Sequence, residues 1–247
     1  MTLLEAAAVV LAGLAAGTIN AVVGSGSLIT FPTLLAVGLP PVTANVSNTV
    51  GLVPGAVTGA VGYRAELAGQ RARLVRLGSA TVLGALAGAA LLLVLPPSVF
   101  ATVVPVLIVL ACLLVAVQPW LVHRLRDRPR HAHGGLVAWL LVLATGVYGG
   151  YFGAAQGIML IAALGVTLDE GLQRVNAAKN VLAGLANLVS GAVFVVVAPV
   201  DWRAAVLVAV GATLGGWVGA RVGRRLPPAV LRGVVVLVGL AALFALR

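Results

Sequence analysis

Charge is scarce in this sequence: of 247 residues only 9% are charged, and only six are acidic. A soluble globular domain carries roughly 25% charged residues and about 45–50% apolar ones. Here 61% are hydrophobic, too many for the remaining polar residues to cover a water-facing surface. A soluble enzyme, a disordered chain and a collagen-like fibre are excluded together. Cysteine is nearly absent as well. A single one, Cys112, forms no internal bridge, so a disulfide scaffold is excluded; inside an apolar run it reads as a packing residue. No HExxH pair, aspartate pair or Walker lysine motif occurs, so neither intramembrane proteolysis nor ATP-driven transport by this chain alone is expected. No enzymatic role and no cofactor is expected.

Long apolar runs dominate instead. A spanning helix needs ~20 apolar residues, and ten segments can be marked: 3–23, 28–38, 43–63, 77–95, 98–121, 135–152, 157–168, 176–198, 203–222 and 228–246. The second and seventh are short. About 12 residues at 1.5 Å each cover about 18 Å, a little over half the hydrocarbon thickness; the other eight are long enough to cross. The first residues, Met1-Thr2-Leu3-Leu4-Glu5, lack the basic start of a cleaved secretory signal and are expected to belong to the fold. The fold class is therefore an all-α polytopic membrane protein.

Residues 123–134 are basic and interrupted by histidine and proline, and they read as a linker between two membrane halves, 1–122 and 135–247. The halves resemble one another. Leu83-Gly84-Ala85-Leu86-Ala87-Gly88-Ala89 matches Leu214-Gly215-Gly216-Trp217-Val218-Gly219-Ala220. At the same distance beyond, Leu95-Pro96-Pro97 matches Leu226-Pro227-Pro228. Val57-Thr58-Gly59-Ala60-Val61 matches Val189-Ser190-Gly191-Ala192-Val193, which sets Asn48 against Asn180. The turn Gly24-Ser25-Gly26-Ser27 falls on Gly153-Ala154-Ala155-Gln156. Five segments per half is odd, so the second copy is expected to enter from the opposite side, as an inverted repeat with a short broken helix in each half.

The net charge of +10 belongs to this topology rather than to nucleic acid. With Arg64, Arg71, Arg73 and Arg76 inside, the linker arginines, Arg174, Lys179, Arg221, Arg224, Arg225 and Arg232 fall on or towards the inside, and only Arg203 and Arg247 outside. That is the positive-inside bias, with both termini outside. If the short segments instead entered and left on one side, Arg221, Arg224 and Arg225 would face outward. The partners expected are the lipid bilayer and a small anionic substrate; assembly as a homo-oligomer is compatible with the pattern.

Polar residues inside a bilayer are expensive and mark function by default. Four clusters stand out: 20–30, 45–49, 148–156 and 176–180 with Asn187 and Ser190 beyond. Glycines such as Gly24, Gly26 and Gly153 let the chain turn sharply. A helix that starts at such a turn offers N–H donors and a positive dipole end, which favours anions. Asn20, Ser25, Ser27, Asn48, Thr49, Gln156 and Asn180 are candidate neutral ligands, and Lys179 the candidate fixed charge. Each has a plain alternative. Hydroxyls in apolar helices bond back to the preceding turn, and Lys179 near a segment start can snorkel to the surface. Gly84, Gly88, Gly215 and Gly219 read as helix-packing positions. Trp120, Trp139 and Trp202 read as interface anchors, and Trp217 as packed in the bundle. The carboxylates Glu5, Glu66, Asp127, Asp169, Glu170 and Asp201 all fall at segment ends or in loops. A proton relay on a buried acid and a carboxylate-rich cation site are therefore unsupported. No metal site is expected; His131 and His133 read as solvated linker residues.

The run Gly17-Thr18-Ile19-Asn20-Ala21-Val22-Val23-Gly24-Ser25-Gly26-Ser27, then Pro32-Thr33-Leu34 and Ala44-Asn45-Val46-Ser47-Asn48-Thr49, resembles the first half of the sulfite exporter TauE/SafE family, also called TSUP transporters. Residues 146–157, Lys179-Asn180 and Asn187 resemble its second half. The resemblance implies export of small sulfur-containing or organic anions, sulfite and sulfonates among them, across the cytoplasmic membrane. The family's glycine run is usually fuller, and its second copy usually has Gly-Gly and Pro-x-Leu where this chain has Ala154-Ala155-Gln156-Gly157 and Met159-Leu160. Gln156 is thus expected to bear on substrate preference. A non-transporting accessory subunit and a cation or metal permease are the alternative functions; the second predicts a mid-span carboxylate or histidine cluster.

Overall fold

A computed structural model describes residues 1–124, 135–221 and Leu237 of the chain. The regular elements among them are helices: α1 Leu3–Val22, α2 Ser27–Ala36, α3 Pro41–Gly62, α4 Arg71–Val94, α5 Pro97–Arg124, α6 Gly135–Tyr151, α7 Gln156–Thr167, α8 Leu172–Val197 and α9 Trp202–Arg221. The segment expected at 228–246, most of the linker, Asp127, Arg224, Arg225, Arg232, Arg247, His131 and His133 lie outside the described residues. Local chemistry sets the ends. Thr2 and Glu5 form a reciprocal capping box on α1, and Pro41 opens α3 at a position that needs no N–H donor.

Among the described residues, five helices are long and apolar enough to cross a membrane: α1, α4, α5, α8 and α9. The short α2 and α7 match the sequence expectation closely. The sixth segment does not. It was expected to cross at 135–152, but α6 is a shorter apolar helix of 17 residues, ended by the glycine turn that follows it. α3 is 22 residues long and carries Asn45, Ser47, Asn48 and Thr49 in its first half.

The helices turn small residues inward and large apolar ones outward. In α4, Gly84, Ala85, Gly88 and Ala89 are buried while Leu83, Leu86, Leu91 and Val94 are exposed. Lipid offers no hydrophobic drive to bury leucine, so close backbone packing decides what faces inward. A methyl group on Gly84 or Gly88 would meet the carbonyl oxygens of Leu143 and Val147 on α6; one on Gly215 or Gly219 would meet those of Leu14 and Thr18 on α1. The Gly-x-x-x-Gly pairs of α4 and α9 are packing seams. Trp217 departs from expectation. It is about half exposed on α9, with the Arg221 guanidinium 4.0 Å from its ring centroid: the neighbouring glycines take the inward face and push the large ring out.

These seams fix the direction of each helix. Rising numbers on α1 meet rising numbers on α9, so the two run parallel; α4 and α6 are parallel in the same way. α3 also runs parallel to α9, whereas Gly184 and Gly191 of α8 meet Ala56 and Val50 of α3 in falling order, so α8 runs against α3. Arg73 at the start of α4 bonds Glu170 just before α8, which puts those two ends on one face. Met1 lies beside Trp202 and Arg203 at the start of α9, on the other. The α1–α2 hairpin therefore comes in from one face and the α6–α7 hairpin from the opposite one. α7 returns the chain to the face from which α6 set out, and Arg221 ends on the face of Arg73 and Arg174.

Candidate functional site

The two hairpin tips have the same backbone. At the end of α1, the N–H groups of Val23 and Gly24 both donate to Ile19 O, at 2.7 and 3.0 Å; at the end of α6, those of Phe152 and Gly153 both donate to Tyr148 O, at 2.9 and 3.1 Å. Gly24 has φ +92° and Gly153 +75°, the left-handed cap that glycine adopts without penalty. The next helix starts three residues after each glycine. The tips touch: Gly157 N–H donates to Gly24 O at 3.0 Å. A Cβ on Gly24 would sit 2.5 Å from the Gly157 Cα. Behind them Phe31 of α2 and Phe152 pack edge to face at 5.2 Å, with Phe100 of α5 6.0 Å from Phe152.

Asparagines and a lysine from the opposite half hold the broken ends. The last carbonyls of a helix lack partners and carry its negative dipole end. On α1, Asn20 O accepts from Lys179 Nζ at 2.7 Å, and Ala21 O accepts from Asn176 Nδ2 at 3.0 Å and Asn180 Nδ2 at 3.2 Å. On α6, Tyr151 O accepts from Asn45 Nδ2 at 2.9 Å. Lys179 is completely buried, so it does not snorkel.

A small cavity opens where the tips meet. Asn20, Ala21, Gly24 and Ser27 line it from the first hairpin, Gly55, Ala56 and Gly59 from α3, Gly153, Gln156 and Gly157 from the second hairpin, and Lys179, Asn180, Ala183 and Asn187 from α8. Water-sized spheres find about 30 Å³ for their centres there, room for about two waters. Among the described residues, Lys179 is the single ionisable side chain in the lining. Gln156 is buried, and its Nε2 has no hydrogen-bond partner. Seven of the eleven residues singled out in the sequence, Asn20, Gly24, Ser27, Gly153, Gln156, Lys179 and Asn180, meet at this cavity.

The other four stand behind it. Gly26 N–H donates to Asn20 Oδ1 at 2.7 Å. Asn48 donates to Ser27 Oγ at 3.2 Å and accepts from Thr30 Oγ1. Thr49 bonds back to Asn45 O at 2.9 Å, the plain reading of a helical hydroxyl. Ser25 is buried with its hydroxyl unpartnered. Ala21, Gly55, Ala56, Gly59, Gly157 and Ala183 were not among the sequence candidates, and Asn187 was marked in a polar cluster but not as a ligand. A helical-face reading was the available signal: Asn176, Asn180, Ala183 and Asn187 follow one another by four, three and four residues, one stripe of α8.

An ion-pair cluster ties the start of α4 to the start of α8 on one face. Glu170 accepts from Arg174 Nε at 2.6 Å and Arg73 Nη1 at 3.0 Å; Arg174 Nη1 reaches Ala68 O at 3.0 Å. The bond from Arg174, with help from Arg73, holds the Glu170 carboxyl below the usual carboxylate range against the opposing effect of burial. On the opposite face the link is lighter: Asp201 N–H donates to Ser47 Oγ at 2.8 Å.

Residues 9–246 match the family model described as sulfite exporter TauE/SafE. The chain is 25% identical over 227 residues to the "Probable membrane transporter protein YfcA" of Escherichia coli (strain K12), covering 90% of this chain and 82% of that one. It is 27% identical over 225 residues to a "Probable membrane transporter protein" of Haemophilus influenzae, covering 91% and 88%. A third relative, "Probable membrane transporter protein ORF9" of Sinorhizobium sp, is 24% identical over 228 residues, covering 92% and 86%. No solved structure gives a significant match. Broken helices that meet at a buried polar cavity are what a membrane carrier requires, and the match runs through both of them: this chain is a membrane transporter of the sulfite exporter TauE/SafE family.

Proposed function

We propose that the chain is a secondary transporter, not an enzyme, that moves a small sulfur oxyanion, sulfite or an organosulfonate, across the cytoplasmic membrane. The observation that carries this reading is the fully buried Lys179 at a cavity where no carboxylate of the described residues is in the lining. A buried cation without a counter-charge favours an anionic ligand. Gln156 Nε2, Asn180, Asn187 and Ser27 add neutral polar groups, and a sulfur oxyanion presents several acceptor oxygens to such donors. The family description supports the sulfur class.

The opposed hairpins and the matched packing of α1 on α9 and α6 on α4 support an inverted repeat. Transport then proceeds by one half rocking against the other about the joined tips. With room for about two waters, the cavity must widen as the halves move before it holds an oxyanion.

Flux into proteoliposomes holding only this protein tests the reading, using radiolabelled sulfite, thiosulfate, sulfoacetate and sulfate with and without a pH gradient. Saturable flux of sulfite or sulfoacetate above empty vesicles is expected. No flux of any of the four would favour an accessory subunit that transports nothing.

A further inference from the structure

Lys179 raises a question that anion binding alone does not answer: what becomes of its charge when the carrier resets empty? Its Nζ has the Asn20 carbonyl as partner at 2.7 Å, and its side chain is wholly buried. A dipole end and one carbonyl offset only part of an ammonium charge, and an ion left alone inside a protein costs several kcal/mol. A bound anion removes that cost when the site is full. An empty carrier needs another remedy.

The chemistry of the neighbours narrows it. On α1 the titratable group is Glu5, exposed at the far end. α3 offers Tyr63 at its end, packed near Ala177. α4 carries Arg71, Arg73 and Arg76 in its first two turns, and α8 itself carries Arg174 beside Glu170. α6 brings Tyr148 and Tyr151, α7 brings no ionisable residue, and α9 has Arg203 and Arg221 at its ends. None of these lines the cavity. Among the described residues, no carboxylate is placed to take up the charge when the anion leaves. A lysine can give its proton to water, whereas an arginine cannot.

We propose that Lys179 is the proton-carrying group of the cycle: one proton and one anion occupy the cavity together and leave together. On loading, water gives a proton to Nζ as the anion arrives. On unloading, Nζ returns it to water on the release side, and the carrier resets without a lone buried charge. The inference rests on the anion reading above.

Calorimetry of sulfite binding tests it. Purified wild type and Lys179→Arg are titrated at about pH 8 in two buffers of different ionisation enthalpy, which reports the protons taken up on binding. Protons that sulfite itself exchanges are common to both proteins and cancel in the difference. The expected result is about one more proton per sulfite for wild type than for Lys179→Arg. Equal uptake by the two, both binding, overturns proton coupling and leaves the anion site standing. Binding by neither overturns the anion reading, and the coupling with it. Should only Lys179→Arg fail to bind, wild type decides alone: uptake beyond sulfite's own titration supports the proposal, and uptake equal to it overturns it.

Discussion

The turn after α1 and the turn after α6 share a hydrogen-bond pattern but not their side chains. In the first, Asn20 sits before the glycine and its Oδ1 accepts from Gly26 N–H, while a small Ser27 opens the next helix. In the second, the position of Asn20 is Gly149 and that of Ser27 is Gln156, whose side chain lies so close over Gly149 that a Cβ there would collide with it. One amide serves each turn, placed before the break in one half and after it in the other. The Oδ1 of Asn20 is engaged in holding its own turn; the Nε2 of Gln156 is left without a partner at the cavity. The helices that clamp the turns differ likewise. In the sequence alignment Ser47 stands opposite Lys179. Ser47 accepts from Asp201 N–H near the heavier helix ends of one face, whereas Lys179 reaches the cavity. The two turns thus share a backbone pattern, while Gln156 and Lys179 of the second half bring different polar groups to the cavity from Asn20 and Ser27 of the first.

The largest break in that comparison is removal of Lys179. Lys179→Met keeps the length of the chain and removes the cation; sulfite flux is expected to fall tenfold or more, since about 1.4 kcal/mol is a factor of ten and a charged hydrogen bond contributes about 1.5–3. Flux and monodispersity of the purified variant, measured together, separate lost transport from lost folding.

Alanine at the two tip glycines sharpens the equality of the backbones. Both Gly24→Ala and Gly153→Ala place a side chain at positive φ, about 1–2 kcal/mol of strain. Gly24→Ala also drives its Cβ into the Gly157 backbone, whereas at Gly153 the nearest atom is Gly149 O at 3.0 Å. The melting temperature is expected to drop further for Gly24→Ala. Equal drops would mean that the tip contact carries no strain.

Gln156→Ala tests the inequality of the side chains. Removing an amide with no internal partner should leave the melting temperature within the range of a surface change, about 0.5 kcal/mol. The same variant should alter the ranking among sulfite, thiosulfate and sulfoacetate. Asn20→Ala is expected to do the reverse, lowering stability by about 1 kcal/mol through the lost bond to Gly26.

The smallest effect is expected at the ion-pair cluster. Glu170→Gln removes a part-exposed ion pair, worth about 1 kcal/mol or less, and should change sulfite flux by a few-fold at most. The Glu170 carboxyl is held low in the folded state. Its stabilisation is therefore full above the ordinary carboxylate value and is lost as pH falls through the lowered one. Plotted against pH, the wild-type melting temperature should show a step in that acidic window that Glu170→Gln lacks.

How much of this was written in the chain follows from which forces are local. Gly24 and Gly153 were legible because a left-handed cap and a break in an apolar run leave their mark on neighbouring residues. The Gly-x-x-x-Gly seams were legible for the same reason: small residues at helical spacing signal close packing. Trp217 was misplaced because an apolar segment buried in lipid looks the same on every face, and only its neighbours show which side is inward. Gly55, Gly59 and Ala183 were missed as lining because their common face emerges only when α3 and α8 are set side by side.

Composition and periodicity determined the class of the protein and the broken helices, since bilayer thickness and backbone hydrogen bonding act on every segment alike; the family was legible only as a resemblance of motifs. They also marked Lys179 as a residue needing a reason. Only the tertiary structure decided that the lysine is buried against the Asn20 carbonyl, that the two tips are bonded to each other, and that Gln156 reaches the cavity while Asn48 stands behind it. Those outcomes depend on contacts between residues more than a hundred positions apart, and no local preference encodes which partner a buried donor will find.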